Sequence, residues 1–476
     1  PTIADPEAKG ALINGHISNY SINDSITKIN FYTTDIIEGT LDYQAIIDSS
    51  GRFSVDLPVK GVKDFGIYYK TWVNLILSEG DKIELAFDNN DTVPKMFYET
   101  AKISGGDSTL NKNFFKYLSG NPKNLRRHYR HMYTLNPDSF KKCYDSVVFI
   151  KKRYADDFLD ENRISEELKS WIQVDTYYIP AMRLLGYDIN QRMFNSGNSE
   201  PAKLPGEFYS ELKNLPELSP EHLINSELSR GFTNYYTGYL EGKIRKETGN
   251  STGNIDSVII RNFIDDNKDN PLLAQLAVNE KLKNVFENND LAYYNRNKNL
   301  FEEVFKGSFF EPLHKTKIEE IEELLANPII PAKAELLTFQ TADSTKYLDE
   351  IIKNANGKVV YIDSWATWCG PCKSEFKNGT PELKLKFGEQ VEFVYLCYQS
   401  KKELWKPAIS QFKIEGKHYF LEKEEDDYLK GQISLKGYPW YTLINKKGEI
   451  VKSGFEYRPS VPATTDLLTE LIAEQE

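Results

Sequence analysis

Residues 359–373, with the sequence VVYIDSWATWCGPCK, decide the fold predicted for the last part of this chain. The apolar run at their start indicates a buried strand, and the residues that follow, KSEF, are compatible with a helix. Cys369 and Cys372 lie between the two elements, close enough to cycle between a dithiol and a disulfide. The stretch therefore predicts thiol–disulfide redox chemistry.

The spacing of the two cysteines predicts a different role for each. A helix that begins near Cys369 leaves unpaired backbone N–H groups and a positive dipole end beside its sulfur. These favour the thiolate, so Cys369 is predicted to have a lowered pKa and to be the accessible nucleophile. Cys372 is almost one helical turn further on and is predicted to be the more buried, resolving cysteine. Pro371 stands early in the helix, where its missing N–H costs little.

Two acids are candidates for the proton transfer that the exchange requires. Cys372 must lose its proton before it can resolve a mixed disulfide. Asp363 lies on the predicted strand beneath the motif, and Glu375 lies one turn beyond Cys372 on the same helix face. If both are buried, they should titrate as a coupled pair in which at least one pKa is raised. For Glu375 an ordinary solvated helix position is the open alternative.

Three local features carry a family resemblance: WCGPC at 368–372 between strand and helix, Asp363 six positions before Cys369, and Gly437-Tyr438-Pro439 before a final hairpin. They resemble the thioredoxin superfamily, and the region from about residue 332 is similar to its TlpA/ResA-like branch of thiol-disulfide oxidoreductases. In that branch a glutamate stands at the position of Glu375, whereas thioredoxins carry an acid at that of Asp363. The resemblance implies a redox-active disulfide Cys369–Cys372 with no cofactor and no metal.

The resemblance also implies a substrate-binding surface. A cis peptide before Pro439 would place Tyr438 beside the thiols, where its backbone can pair with an extended substrate; the alternative is an ordinary proline at the start of an edge strand. The two tryptophans would form an apolar rim, or part of the core. The substrate-binding residues predicted in this way are Trp365, Trp368, Gly370, Pro371, Tyr438 and Pro439.

Two departures from the family limit what the resemblance transfers. Lys377 stands where family members carry a proline that kinks the helix, and Trp440 stands where a threonine commonly follows the cis-proline. The local helix shape and the substrate contacts are therefore not carried over.

The rest of the chain divides into stretches with different periodicity. Short alternating runs separated by Gly and Asp turns occupy the first stretch. Two of these turns, DSSGRF at 48–53 and EGDK at 79–82, resemble those of a domain that often precedes thioredoxin-like domains in Gram-negative envelope proteins. Helical periodicity follows as far as a Pro328–Pro331 linker. The predicted fold class is multidomain: an all-β domain in residues 1–105 (a small sandwich or barrel), an all-α domain in residues 106–331 and a C-terminal α/β thioredoxin-like domain in residues 332–476. In the last, strands are predicted at 359–365, 391–397, 417–421, 440–444 and 449–453, and helices from 345, 369, 402 and 464.

Composition excludes several function classes. The 476 residues carry a formal net charge of −11, which disfavours nucleic acid or an anionic membrane surface as the main partner. Of the four cysteines, Cys143 and Cys397 are predicted to be inert core thiols because each lies in an apolar pattern. A structural zinc site would need four Cys or His ligands, so the cysteine pair does not favour one. No stretch approaches the roughly 20 apolar residues that span a bilayer.

The predicted function is that of an extracytoplasmic protein thiol-disulfide oxidoreductase, most simply a disulfide reductase. The Gly-Pro pair between the cysteines matches thioredoxin, whose potential of about −270 mV is reducing. The partners implied are protein disulfide or mixed-disulfide substrates and a membrane dithiol electron donor. The chain starts at Pro1 with a polar tether-like segment, so we expect a periplasmic or cell-envelope location after removal of a signal or lipoprotein segment, and a possible lipid anchor in the precursor. The alternative is an envelope binding or assembly protein whose N-terminal regions grip a partner or a glycan, with redox activity secondary.

Overall fold

The computed structural model describes residues 9–21, 23, 26–121, 131–194, 204–249, 256–341 and 343–474. The predicted polar tether at Pro1–Pro6 lies outside the described residues. The chain separates into two units, one comprising Pro1–Lys283 with Asn297–Ser308 and the other Asn284–Arg296 with Phe309–Glu476. The predicted three-domain division has other boundaries and stays a prediction.

The N-terminal region is rich in sheet, as predicted. Its described residues form two four-stranded sheets with the strand orders β4-β1-β7-β8 and β3-β2-β5-β6. Phe31 of one sheet lies 6.4 Å from Phe53 of the other, within a shared apolar core, so the two sheets face each other as a sandwich. The strands are β1 (Ala11–Ser18), β2 (Lys28–Asp35), β3 (Gly39–Ile46), β4 (Arg52–Leu57), β5 (Val62–Tyr68), β6 (Trp72–Ser78), β7 (Lys82–Asp88) and β8 (Lys102–Gly105).

The middle of the chain is helical, also as predicted. Short π-helical turns at Val174–Tyr178 and Leu228–Phe232 interrupt it. The helices, with two that belong to the sheet-rich region, are α1 (Pro94–Thr100), α2 (Ser108–Gly120), α3 (Pro137–Glu161), α4 (Glu166–Gln173), α5 (Ile179–Leu185), α6 (Tyr187–Phe194), α7 (Thr233–Thr248), α8 (Asp256–Asp266), α9 (Pro271–Asn288), α10 (Ala292–Phe305) and α11 (Phe310–Ala326).

Helix α3 shows that one cysteine prediction was wrong. Its buried stripe runs through Phe140, Tyr144 and Val148, which recur every fourth residue. Cys143 lies beside that stripe rather than on it and is exposed. Because its apolar neighbours in sequence include the exposed Phe149 and Ile150, an apolar run alone did not locate the buried face.

The C-terminal region contains a six-stranded sheet with the order β14-β13-β10-β11-β12-β9 in the described residues. Strands β10, β11, β12 and β9 are parallel neighbours, whereas β13 and β14 are antiparallel. The strands are β9 (Ala334–Leu337), β10 (Val359–Trp365), β11 (Val391–Cys397), β12 (Gly416–Phe420), β13 (Trp440–Ile444) and β14 (Ile450–Gly454). The helices are α12 (Tyr347–Asn354), α13 (Gly370–Asn378), α14 (Thr380–Phe387), α15 (Lys402–Phe412), α16 (Lys423–Gln432) and α17 (Pro462–Ala473).

The predicted strands of this region agree with the observed ones to within one residue, but β9, α14 and α16 were not predicted. Strand β10 is central, and all seven of its residues are buried. Alternate positions point to opposite faces. Tyr361 and Trp365 belong to the core that contains the cysteine pair, while Val360 and Ile362 belong to the core beneath α12. The strand therefore holds Asp363 on the face covered by α13.

Candidate redox site

The two cysteines stand at the start of α13 and are joined by a disulfide. Cys369 is the N-cap residue, and its sulfur accepts a hydrogen bond from the backbone N–H of Cys372 at 3.2 Å. Cys372 is fully buried, as predicted, but Cys369 is also only 3% exposed. The sequence predicted an accessible Cys369. In the disulfide state its sulfur instead turns inward to the buried Cys372.

The residues around the disulfide are the accessible part of the site. Trp368 is 51% exposed, and its indole N–H donates to the backbone carbonyl of Gln399 at 2.8 Å. Its ring meets that of Tyr438 edge-on, with the ring centroids 5.6 Å apart. Gly370 and Pro371 are exposed beside it. The peptide bond between Tyr438 and Pro439 is cis, which confirms that prediction.

Trp365 does not belong to this surface, and the prediction that it lies on the docking rim was wrong. It is 0% exposed and packs edge-to-face on Phe376 of α13 at 5.2 Å. The physical reason is the position of β10, since a central strand with both faces covered buries every side chain that it carries. Trp365 supports α13 from below.

Asp363 is buried beneath the motif. Its side chain is 1% exposed, and neither carboxyl oxygen has a hydrogen-bond partner among the described residues. Burial raises the pKa of Asp363 well above its usual value, and the negative charge of Glu375 raises it further. The folded protein therefore keeps this carboxyl protonated up to a higher pH than a solvated aspartic acid would.

Glu375 is buried as well, but it has partners. One oxygen accepts the backbone N–H of Ser460 at 3.0 Å, and the other accepts the Ser460 hydroxyl at 2.8 Å. The solvated alternative for Glu375 is therefore wrong, because the side chain is only 7% exposed. Gly379 leaves room for this contact: a Cβ there would lie 2.5 Å from the Glu375 carboxylate and 2.6 Å from the Ser460 nitrogen. We name the two hydrogen bonds between Glu375 and Ser460 the acid clamp.

Gly379 also resolves the doubt about helix shape. The helix that begins at Gly370 ends at Asn378, and α14 begins at Thr380. The break thus falls two residues beyond Lys377, the position of the family's proline, and Pro381 is tolerated in the first turn of the new helix.

Lys373, the residue after Cys372, is a further buried group. Its ammonium donates to the backbone carbonyl of Glu287 at 2.7 Å and to the Asn288 side chain at 2.8 Å, at the end of α9. Burial lowers the pKa of Lys373 to about 8. A cation is favoured at this end of a helix, where carbonyl groups are unpaired. The segment 284–296 is held again where Lys401 pairs with Asp290 at 2.6 Å.

Sequence reasoning missed the residues that surround the two acids. Tyr395 and Tyr441 flank Asp363 in the sheet, and Ser460 completes the acid clamp. Their sequence separation from the motif hides them, although the parallel pairing of β10 with β11 could have indicated Tyr395.

Among the described residues, no group of three or more His, Cys, Asp or Glu side chains is arranged to hold a metal ion. No helix in the described ranges has both the length and the apolar character needed to cross a bilayer.

Comparison with known proteins finds similarity to thiol-disulfide oxidoreductases over part of the chain. No family model matches. The chain is 28% identical over 102 residues to the thiol-disulfide oxidoreductase ResA of Bacillus subtilis, which is 21% of this chain and 55% of that protein. A 27-residue stretch is 63% identical to a thioredoxin of Coprinus comatus, covering 6% of this chain and 26% of the thioredoxin.

Among solved structures, the thioredoxin domain of a thiol-disulfide oxidoreductase from Bacteroides vulgatus is 21% identical, with a TM-score of 0.22. That match covers 24% of this chain and 83% of the other. The chain thus spans a little over half the length of the curated ResA relative. The similarity to thiol-disulfide oxidoreductases covers about a fifth of the chain, and it supports redox thiol–disulfide exchange in general terms.

Proposed function

We propose that the C-terminal region is a thioredoxin-like domain and that the protein is a protein-disulfide reductase acting through Cys369 and Cys372. The observation that carries the proposal is the Cys369–Cys372 disulfide at the start of α13, where the N–H of Cys372 donates to the Cys369 sulfur. A sulfur that accepts backbone N–H donors at a helix N-terminus is stabilised as a thiolate once the disulfide is reduced. The similarity to ResA supports the same chemistry.

The exchange proceeds in two balanced steps. In the dithiol form, the Cys369 thiolate attacks a substrate disulfide, forms a mixed disulfide and releases one substrate thiolate. Cys372 then gives its proton to a nearby base, and its thiolate attacks the Cys369 sulfur. The second substrate thiolate leaves, the substrate has gained two electrons, and the protein is left with the disulfide seen in the structure. No redox group other than this disulfide is needed.

Asp363 is the proposed proton partner of Cys372, and Glu375 is a positioning residue. Both oxygens of Glu375 already accept hydrogen bonds from Ser460. Asp363 has no competing partner among the described residues, and its raised pKa brings it closer to the range of a working acid–base group. In the reverse direction its carboxyl would protonate the Cys372 thiolate as the internal disulfide is reduced.

The substrate is proposed to be an extended polypeptide carrying a disulfide. Trp368 with Tyr438 offers exposed aromatic surface beside the disulfide, and Gly370, where an added Cβ would meet nothing within 4 Å, leaves the approach open. The backbone of Tyr438, which the cis peptide before Pro439 orients, would pair with the substrate chain. Electrons would come from a membrane dithiol donor, and the location would be the periplasm or cell envelope, as the resemblance to the TlpA/ResA-like branch implies.

One observation favours the binding function as a second candidate. The N-terminal region contains a cleft of about 460 Å³ with Tyr98 and Phe115 in its wall and three lysines around it: Lys102, Lys112 and Lys116. Its volume is that of a small-molecule site. The partly exposed Tyr98 next to these cations suits an anionic glycan or an acidic peptide. In this second proposal, binding of such a ligand is the main function and the redox activity is secondary.

Insulin reduction tests the proposed function. Cys369→Ser should abolish the activity, whereas Cys397→Ser, which removes a buried thiol whose pKa burial raises to about 12, should retain it. Undiminished activity of Cys369→Ser would refute the reductase proposal. Cys372→Ala should accumulate the mixed disulfide, whose attached protein identifies the substrate. An equilibrium potential above about −180 mV would instead place the protein in the isomerase or oxidase class.

A further inference from the structure

Asp363 lies between two tyrosines of the neighbouring strands. In the sheet register it is paired with Tyr395 of β11 on one side and with Tyr441 of β13 on the other. Tyr361, two residues earlier on β10, lies on the same face. Four polar side chains therefore form one buried layer beneath α13, and each of them is at most 1% exposed.

The hydrogen bonds in this layer are incomplete. Neither oxygen of Asp363 has a partner among the described residues, and the same is true of the hydroxyl groups of Tyr395 and Tyr441. Tyr361 differs, because its hydroxyl donates to the backbone carbonyl of Tyr457 at 2.6 Å. Buried polar groups are nearly always paired in native proteins. The hydroxyls of Tyr395 and Tyr441 can donate hydrogen bonds and the two oxygens of Asp363 can accept them. Because the three residues are neighbours in the sheet, these unpaired groups are complementary to each other.

We propose that Tyr395 and Tyr441 are positioning residues for Asp363, whose carboxylate receives its hydrogen bonds from their two phenol hydroxyls when it gives up its proton. The inference rests on the proposed function, in which Asp363 exchanges a proton with Cys372. A neutral carboxyl needs few acceptors, whereas a buried carboxylate without donors is very costly. Phenol hydroxyls are able to donate, and because none is bonded to the carboxyl in this structure, the side chains must shift towards each other as Asp363 ionises.

The phenols act as donors and not as bases. Burial raises the pKa of both Tyr395 and Tyr441, and the charge of Asp363 raises it further, so both keep their protons throughout the neutral range. The carboxylate of Asp363 is thereby stabilised without the formation of a second charge. Two donors supplied by two different strands also fix the direction of the carboxyl group relative to α13.

Other charged groups face the layer from several elements, and the ammonium of Lys384 on α14 lies 5.9 Å from the centre of the Tyr395 ring. Glu375 of α13 is the nearest and opposes ionisation of Asp363. The charge of Arg458, in the loop after β14, lowers the pKa of Tyr441 and so acts against the other causes there. The charge of Glu415 raises the pKa of Tyr395. The ring of His418 stacks on Tyr395 at 4.8 Å, and burial lowers the pKa of His418 to about 3, so it is neutral above that pH. Glu375 disfavours the Asp363 carboxylate, whereas the two phenols are the hydroxyl donors that the neighbouring strands place beside it.

Infrared titration of the protonated carboxyl band tests the proposal directly. The band of Asp363 is identified by its loss in Asp363→Asn and is followed against pH in the oxidised, full-length protein. Tyr395→Phe and Tyr441→Phe should each shift its midpoint upward by about one pH unit, and the double variant should shift it further, since one lost donor to a charged group is worth about a tenfold change in ionisation. In single-turnover insulin reduction, each variant should also slow release of the second product at pH 7 by about tenfold.

Tyr361→Phe is the matched control, because it removes a phenol of the same layer whose hydroxyl is bonded elsewhere. It should leave the midpoint of the Asp363 band within a few tenths of a pH unit. An unchanged midpoint in the double variant, a shift equal to that of Tyr361→Phe, or the absence of an Asp363 band would each overturn the proposal. The titration requires no turnover, so it gives its answer even if Cys369→Ser were to retain reductase activity and the proposed function failed.

Discussion

We name the unit that comprises Asn284–Arg296 and Phe309–Glu476 the redox unit. Replacing Asp363 by asparagine should change how the stability of this unit depends on pH. In the folded protein, burial and the charge of Glu375 raise the pKa of Asp363, so the folded state keeps its proton at pH values where the unfolded chain has lost it. The folded state then binds more protons than the unfolded state, and stability falls as the pH rises. This contribution is complete below about pH 4, the unfolded pKa, and is lost progressively up to the folded-state pKa. Asparagine has no proton to retain.

The magnitude follows from one proton. Between about pH 4 and the folded-state pKa, a single proton bound by the folded state alone changes the free energy of unfolding by about 1.4 kcal/mol per pH unit. The free energy of unfolding of Asp363→Asn minus that of the wild type should therefore rise by about that slope with pH. Any constant cost of the buried amide shifts the whole line but leaves the slope unchanged.

Cys397 supplies the measurement, because this free thiol of the redox unit is 0% exposed. Its labelling by a pyridyl disulfide, which reacts at acid pH, reports unfolding in urea. The assay uses a Cys143→Ala background, since Cys143 is exposed, and keeps the Cys369–Cys372 disulfide oxidised. Asp466→Asn, which removes an exposed carboxylate from α17, shows how much slope comes from losing any carboxylate. A difference between Asp363→Asn and wild type that stays flat from pH 4 to 7, or falls, refutes the reasoning.

Two pairs of substitutions test the packing of the site. Gly379→Ala should destabilise the redox unit by about 1–3 kcal/mol in urea unfolding, because the new Cβ lies 2.5 Å from the Glu375 carboxylate and opens the acid clamp. Gly431→Ala is the control, since this helical glycine has open space around it and its substitution should not destabilise the protein. Equal effects of the two substitutions would contradict the role of the acid clamp. Trp365→Ala should lower the stability by about 3–5 kcal/mol, since a fully buried ring is lost. Trp368→Ala, at the exposed ring, should cost only about 1 kcal/mol and raise the KM for insulin; the opposite ranking would contradict the assignment of the two rings.

The strands of the redox region could be predicted because their patterns are local. A run such as Val359–Ile362 is apolar at every position, which indicates a central strand. The same uniformity hides which face each residue takes, and so Trp365 was assigned to the docking rim although it lies under α13. Strand β9, with four residues, is too short to show a period.

The partners of the acids could not be predicted, for a different reason. Whether Glu375 is solvated or clamped depends on Ser460, 85 residues later in the chain. The environment of Asp363 depends on strand neighbours whose register only the folded sheet defines. The prediction that Cys143 of helix α3 is buried was wrong for a more local reason. Cys143 differs from the buried Tyr144 by one position and thus by about 100° around the helix. Local patterns predicted the cysteine pair and the acids near it, whereas long-range contacts decide which acid has hydrogen-bond partners.

The contacts of the Lys373 ammonium determine where a fragment that contains only the redox unit should begin. Its ammonium is bound by the end of α9, and Lys401 is bound by Asp290 of the same early segment. A recombinant fragment that began at residue 332 would omit those acceptors and α11, which packs on α15. It would remove the acceptors of the ammonium next to the second cysteine and expose to water the surface of the domain that those segments cover. A truncated protein should therefore begin before Asn284.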